Sequence, residues 1–227
     1  NQSTDSITIN SLGFRGAEFS EIKPSNTYRI FMVGGSTMFG AGATSDETTI
    51  PGFMQEFLNE KDFDFDIQVI NSGIQGADSN TELKLVKQKL ITFSPDLIIM
   101  YDGWNDLRAN NSPSELKENL EAICEFGNDN NFDTIISLQP IAGFGNKILT
   151  KQESEYAKTG ENYSKKPLIE SLSVYQNYAK NLSEIKTCTK TIDLRDVFDN
   201  ETETIYWDQG HVSDLGNSIV AKSLYNA

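Results

Sequence analysis

The chain of 227 residues is short of several things, and each shortage narrows what it can be. It has a single histidine, His211, so any imidazole chemistry has one candidate base and no second histidine to help hold a metal. Its two cysteines, Cys124 and Cys188, are too few and too far apart for a metal-binding pattern or a disulfide scaffold. They can form one disulfide, or stand as two separate buried thiols near helix-strand junctions of the later half of the chain. Basic residues are outnumbered 19 to 33 by acidic ones, giving a formal charge of -14 and a pI near 4.5, which disfavours phosphate backbones and anionic surfaces. Nucleic acid is excluded as an expected partner. No apolar run approaches the roughly 20 residues that span a bilayer. The first residue is Asn1 rather than Met, which leaves room for a signal peptide or membrane tether upstream. Sequons at Asn1, Asn110, Asn162, Asn181 and Asn200 suit export, although a chain so rich in Asn, Ser and Thr supplies nearly as many by chance. The expectation is an extracellular or cell-surface protein, with a cytoplasmic one left open.

What is present is an alternation of short apolar, β-rich runs with longer helical patterns, the mark of a parallel sheet with crossover helices. Strands are expected at Arg29–Val33, Ile67–Ile70, Asp96–Tyr101, Thr134–Leu138 and Thr191–Leu194. Helices are expected at Thr49–Glu60, Asp78–Phe93, Ser114–Phe126 with Gly127 as its stop, Ser171–Leu182 and Asp214–Tyr225. No linker divides the chain, so residues 29–227 read as one domain, with residues 1–28 an arm or extra strand packed against it. The stretch 141–188 exceeds one crossover and can overhang the site as a lid or wall, with Phe144, Tyr156, Tyr163 and Tyr175 either lining a pocket or simply covering the sheet.

In an open α/β sheet, ligands bind beyond the C-terminal strand ends. There the chain places Gly34-Gly35-Ser36 after the first strand, Asn71-Ser72-Gly73-Ile74-Gln75-Gly76 after the second, and Asp102-Gly103-Trp104-Asn105-Asp106 after the third. Asp208 and His211 follow the fifth and are three residues apart, close enough for the carboxylate to accept from one ring nitrogen while the other faces a hydroxyl. A hydroxyl, closely approachable backbone N–H groups and a side-chain amide are what acyl transfer needs. The Gly34-Gly35-Ser36-Thr37 turn fits neither G-x-G-x-x-G nor the P-loop pattern, and Met38 stands where G-x-S-x-G would need its last glycine.

Taken in order, these blocks resemble the SGNH (GDSL) hydrolase family over about Arg29 to Ala227. The resemblance implies a flavodoxin-like three-layer α/β/α sandwich around a five-stranded, mainly parallel sheet. It implies Ser36 as nucleophile, His211 as base, Asp208 as its orienter, and an oxyanion hole from the N–H groups of Ser36 and Gly76 and the amide of Asn105. The family's first block often reads Gly-Asp-Ser, and Gly35 replaces the carboxylate here. Asn10–Gly16 also resembles an arm that precedes the domain in some membrane-tethered members. The expected function is a cofactor-free, metal-independent serine esterase acting through an acyl-enzyme on a short-chain, acetyl-type ester, small or carbohydrate-linked, with activity that falls as acid protonates His211. A glycan-binding module of the same fold without turnover, and an O-acyltransferase, remain open at this stage.

Overall fold

The computed structural model describes residues 2–4, 6–160 and 171–227. A two-stranded antiparallel pair, β1 (Gln2–Ser3) and β2 (Thr8–Ile9), opens the chain. The main sheet follows with β3 (Thr27–Gly34), β4 (Asp66–Asn71), β5 (Leu97–Asp102), β6 (Asp133–Leu138) and β7 (Lys190–Asp193), all parallel, in the order β4-β3-β5-β6-β7. Numbered within the sheet this is 2-1-3-4-5, the flavodoxin-like winding, whose switch point lies between β3 and β5. The five expected strands are all present, each shifted by at most two residues at either end.

Two short helices follow switch-point strands directly: α1 (Ser36–Phe39) after β3 and α4 (Trp104–Ala109) after β5. The larger helices divide between the two faces. α2 (Ile50–Asn59) and α8 (Asp214–Tyr225) pack together on one face, over Ile30, Met32 and Ile99 of the sheet. α3 (Ser79–Gln88), α5 (Pro113–Asn130) and α7 (Leu172–Glu184) cover the other, over Phe31, Val33, Ile98, Met100 and Ile136. Because successive strand residues point to opposite faces, the fully buried runs in β3 and β5 feed both cores.

Several boundaries differ from the sequence reading, each for a local reason. The helix expected over Asp78–Phe93 is an α-helix only to Gln88, and Leu90–Phe93 tightens into a 3-10 turn closed by Ser94 at φ 53. Gly127 does not stop α5, which continues to Asn130 and ends on Asn131 at φ 61. A Cβ at Gly127 would lie 2.9 Å from Phe132 O and from Thr134, so this glycine serves close packing within the helix. The stretch after β6 contains α6 (Lys151–Thr159), whose Thr150 and Glu153 form a capping box. Phe144 and Tyr175 belong to the core, with Tyr175 donating to Gln139 O at 2.5 Å, and Tyr156 is buried beside Gln152. Phe144 and Tyr175 therefore pack into the core over the sheet, while Tyr156 is buried on α6; Tyr163 lies outside the described residues. Cys124 on α5 and Cys188 before β7 are joined in a disulfide with a sequence separation of 64. No described helix is long and apolar enough to cross a membrane.

The segment before β3 is bound to the domain by buried polar contacts. Asn10 Oδ1 accepts from the N–H groups of Leu12 and Phe14 at 3.0 Å each, closing a tight turn that drives Phe14 into a cluster with Phe19, Phe31 and Phe93. Arg15, buried beside it, pairs with Asp46 at 2.7 Å and donates to the carbonyls of Ser6, Phe39, Gly40 and Ser45. A buried guanidinium is tolerated because its donors are so used.

Candidate active site

β3 ends in Gly34-Gly35, and Ser36 opens α1 with its hydroxyl at the switch-point crevice. The chain leaves β7 at the sheet edge and returns to the centre, pinned by Ala142 N to Gln209 O at 2.9 Å and by the Tyr206–Val212 bridge. That return sets His211 Nε2 2.6 Å from Ser36 Oγ and His211 Nδ1 2.7 Å from Asp208 Oδ2. Burial opposes ionisation of Asp208, but the hydrogen bond and charge of His211 and the N–H groups of Gly210 and His211 outweigh it and hold its carboxyl below the usual range. An ionised Asp208 accepts a hydrogen bond from Nδ1–H, which leaves Nε2 to accept from the Ser36 hydroxyl. All three residues are buried, with Ser36 5%, His211 7% and Asp208 8% exposed.

Asn105 stands in the first turn of α4 and donates through Nδ2 to Ala77 O at 2.7 Å. A Cβ at residue 35 would fall 2.1 Å from that same Nδ2. The departure from Gly-Asp-Ser thus has a local reason: in this chain the asparagine amide occupies the space beside a glycine. Gly73 packs its Cα against Phe39, and its N–H is taken by Asn71 Oδ1 at 3.0 Å. Gly76, at φ 77, lies exposed in the turn before α3, next to Ala77. Ser36, Asp208 and His211 are therefore joined in one hydrogen-bonded line. Asn105 adjoins the glycine before the serine, and Gly76 adjoins the carbonyl that Asn105 holds.

Other contributors carried little sequence signal. Trp104 meets the His211 ring edge to face at 5.0 Å between centroids, and only a glycine fits at 210, where a Cβ would lie 2.3 Å from the indole. Gln139, just past β6, donates to Thr37 Oγ1 at 3.1 Å and Gly210 O at 3.2 Å, linking the serine helix to the histidine loop. Its place directly after a strand was the one available clue. Glu153 accepts from the N–H groups of Ile205 and Tyr206, bracing the loop that carries Asp208. Trp207 is 55% exposed, with its indole against Gly42 in the loop after α1. A cavity of about 260 Å³ between the N-terminal arm and β4 includes none of Ser36, Asn105, Asp208 or His211. Among the described residues no cluster of histidine, cysteine or carboxylate side chains could hold a metal ion.

The sequence pattern of the GDSL-like lipase/acylhydrolase family matches residues 32–219. The chain belongs to that family. It is accordingly a carboxylic ester hydrolase. Solved structures share its fold at low identity. An acetyl xylan esterase, AlAXEase, is 18% identical with a TM-score of 0.63 over 87% of this chain and 98% of its own. An acetyl-xylooligosaccharide esterase from Geobacillus stearothermophilus is 15% identical with a TM-score of 0.64, over 88% of this chain and 93% of its own. TesA is 14% identical with a TM-score of 0.64, over 87% and 96%. Comparison with curated protein sequences gave no match.

Proposed function

We propose that this hydrolase is a serine esterase that removes a short acyl group, acetyl first, from a carbohydrate-linked or small ester. The observation that carries the reading is the Ser36–His211–Asp208 line, with contacts of 2.6 and 2.7 Å. As Ser36 Oγ attacks the ester carbonyl, its proton passes to Nε2, and Asp208 stabilises the imidazolium through Nδ1. The tetrahedral oxyanion is held by the N–H groups of Ser36 and Gly76 and by the Asn105 amide, each worth about 3 kcal/mol of barrier when well aimed. Collapse expels the alcohol, which takes the proton from Nε2 and leaves Ser36 acylated. Water then gives a proton to Nε2 while its oxygen attacks the acyl carbon, and the carboxylic acid departs as Ser36 recovers its hydrogen.

The close burial of the reacting atoms supports a small acyl group. The exposed Trp207 indole beside the histidine loop supports a sugar ring as the alcohol, since an aromatic face is a common carbohydrate platform. The acetyl esterases among the structural neighbours point the same way. The disulfide supports an oxidising compartment, and hence export.

Fluorophosphonate labelling followed by intact mass, with p-nitrophenyl acetate turnover on the same samples, tests the chemistry. One label per chain, lost together with turnover in Ser36→Ala and His211→Ala, is the expected result. A folded wild type that takes no label would replace this reading with that of a binding module. Acetylated xylo-oligosaccharides then test the alcohol: Trp207→Ala should raise KM for them and leave p-nitrophenyl acetate turnover unchanged. Appearance of the acetyl group on an added sugar, in place of free acetate, would assign transfer instead of hydrolysis.

A further inference from the structure

Among the described residues, two buried carboxyl groups outside the serine–histidine line are short of hydrogen-bond donors. Glu82, on α3, is fully buried, and neither of its carboxyl oxygens meets an N–H or hydroxyl donor. Asp102 ends β5 at 3% exposure; its Oδ1 accepts from Gly103 N at 2.7 Å, while Oδ2 likewise meets no such donor. What each group has is the other, within hydrogen-bonding reach. Two carboxylates buried away from bulk solvent cannot readily face one another ionised, because burial and mutual repulsion both oppose the second charge. One protonated carboxyl gives each group a partner, by donating its O–H to an oxygen of the other, and leaves a single Glu82 oxygen without a donor.

The surroundings reinforce this. Asp106 on α4 and Asp78 at the N-cap of α3 add negative charge to the pair, and Tyr175 and Tyr178 of α7 are the neutral titratable groups that face Asp102. Burial first, then the neighbouring carboxylates, pushes Glu82 and Asp102 well above the ordinary carboxylate range. Unlike Glu82 and Asp102, Asp106 is well supplied with donors: it accepts from Ser79 N, Ser79 Oγ and Asn111 Nδ2 at 3.0, 2.6 and 2.8 Å.

Both links cross one seam. On one side is the N-terminal part of α3, which follows Gly76 and Ala77; on the other is the end of β5, from which Gly103, Trp104 and Asn105 depart. The geometry points to a positioning device: Glu82 and Asp102 share a single proton that fastens α3 to the end of β5 and so holds the Asn105 amide and the Gly76 turn in register, and loss of that proton in alkali loosens the seam and limits activity. The positioning half of this rests on the oxyanion roles proposed above; the shared proton does not.

The two halves are tested separately. For the proton, infrared difference spectra of wild type against Glu82→Gln and against Asp102→Asn at neutral pH should show a carboxylic-acid carbonyl band in wild type that both variants lack. Thermal unfolding against pH should show wild-type stability falling as the solution becomes alkaline, a fall that Glu82→Gln removes, because its amide donates at every pH. A wild type without the acid band, or a Glu82→Gln alkaline limb identical to that of wild type, overturns the shared proton whether or not the enzyme turns over. For positioning, kcat on p-nitrophenyl acetate should keep its neutral value in Glu82→Gln and extend to higher pH. In Glu82→Leu, which cannot hydrogen bond, kcat should fall about tenfold or more with KM little changed, as displacement of a catalytic group by a fraction of an ångström does. Full kcat across the pH range in a folded Glu82→Leu enzyme overturns the positioning role.

Discussion

Glu82 and Glu153 are both fully buried glutamates, one on each side of the site, and they occupy opposite electrostatic worlds. Glu153 Oε2 accepts from Lys147 Nζ at 3.0 Å and Thr150 N at 2.8 Å, and Oε1 from the N–H groups of Ile205 and Tyr206 at 2.8 and 3.1 Å. Burial raises its pKa, but those donors outweigh the cost and hold the carboxyl below the ordinary range. Glu82 is likewise closed to solvent but lies deeper and, among the described residues, has neither cation nor N–H, and its carboxyl goes the other way. Loss of solvent exposure alone therefore does not decide the charge of a buried acid; its depth and the donors built around it do. The comparison extends to how each region is tied. The loop that carries Asp208 and His211 is braced by a carboxylate paired with a lysine, whereas the side with Asn105 is held by the Ser79 and Asn111 donors on Asp106 and, further out, by the Cys124–Cys188 disulfide on α5.

The contrast is broken most strongly at Glu153. Glu153→Ala leaves Lys147 buried without its partner and strips two loop N–H groups, so urea unfolding should show a loss of about 3–5 kcal/mol. Glu82→Leu removes no donor's partner beyond Asp102 and should cost much less; equal losses in the two variants would erase the distinction. Replacing both Cys124 and Cys188 by alanine releases a 64-residue separation and should cost about 4 kcal/mol by chain entropy, with turnover of the folded enzyme unchanged. Loss of turnover in folded protein would mean that the disulfide reaches the site.

A smaller effect lies in the pH dependence. Glu153 and Asp208, with lowered pKa values, contribute stability that is present above the ordinary carboxylate range and lost as pH falls through their folded values. Glu82 and Asp102, with raised values, contribute in the opposite sense: their stability is present in mild acid and lost as pH rises. Melting temperature against pH should accordingly lose part of its acid limb in Glu153→Gln while keeping the alkaline one. An acid limb unchanged by that substitution would count against Glu153 as an ionised brace. Smallest of all is the helix-cap comparison. Both α5 and α6 begin with a capping box, but Glu115 is a surface group and Glu153 is not. Ser112→Ala should cost about 1 kcal/mol, and Thr150→Ala more, because it also disturbs the buried carboxylate.

The strands and the order of the chemical blocks were readable because each depends on local pattern: apolar runs ending in Gly34-Gly35 or Asp102-Gly103 carry their own punctuation. The boundaries Asp214–Tyr225 came out as read, helped by Ser213 as an N-cap. Tertiary packing decided the rest. Nothing local tells that Gly127 sits within a helix because Phe132 and Thr134 crowd it, or that Cys124 meets Cys188. Glu82 stands on a helix with acidic and basic neighbours, so its sequence context reads as a solvated face, and only the docking of α3 against β5 shows it buried. Gln139, Lys147 and Glu153 were hidden for a similar reason: their partners lie on the returning chain from 203 to 210, far away in sequence.

The hydrogen bond between Ser36 and His211 joins residues 175 apart. A chain growing from its N-terminus therefore completes the strand and helix that present the serine long before its base exists, and throughout that interval the hydroxyl is an ordinary alcohol. On the proposed mechanism, reactivity switches on only when the final stretch threads back over the middle of the sheet. Ester turnover would then be a report on the completed fold, and nascent or half-folded chains would carry no acylating serine to react out of place.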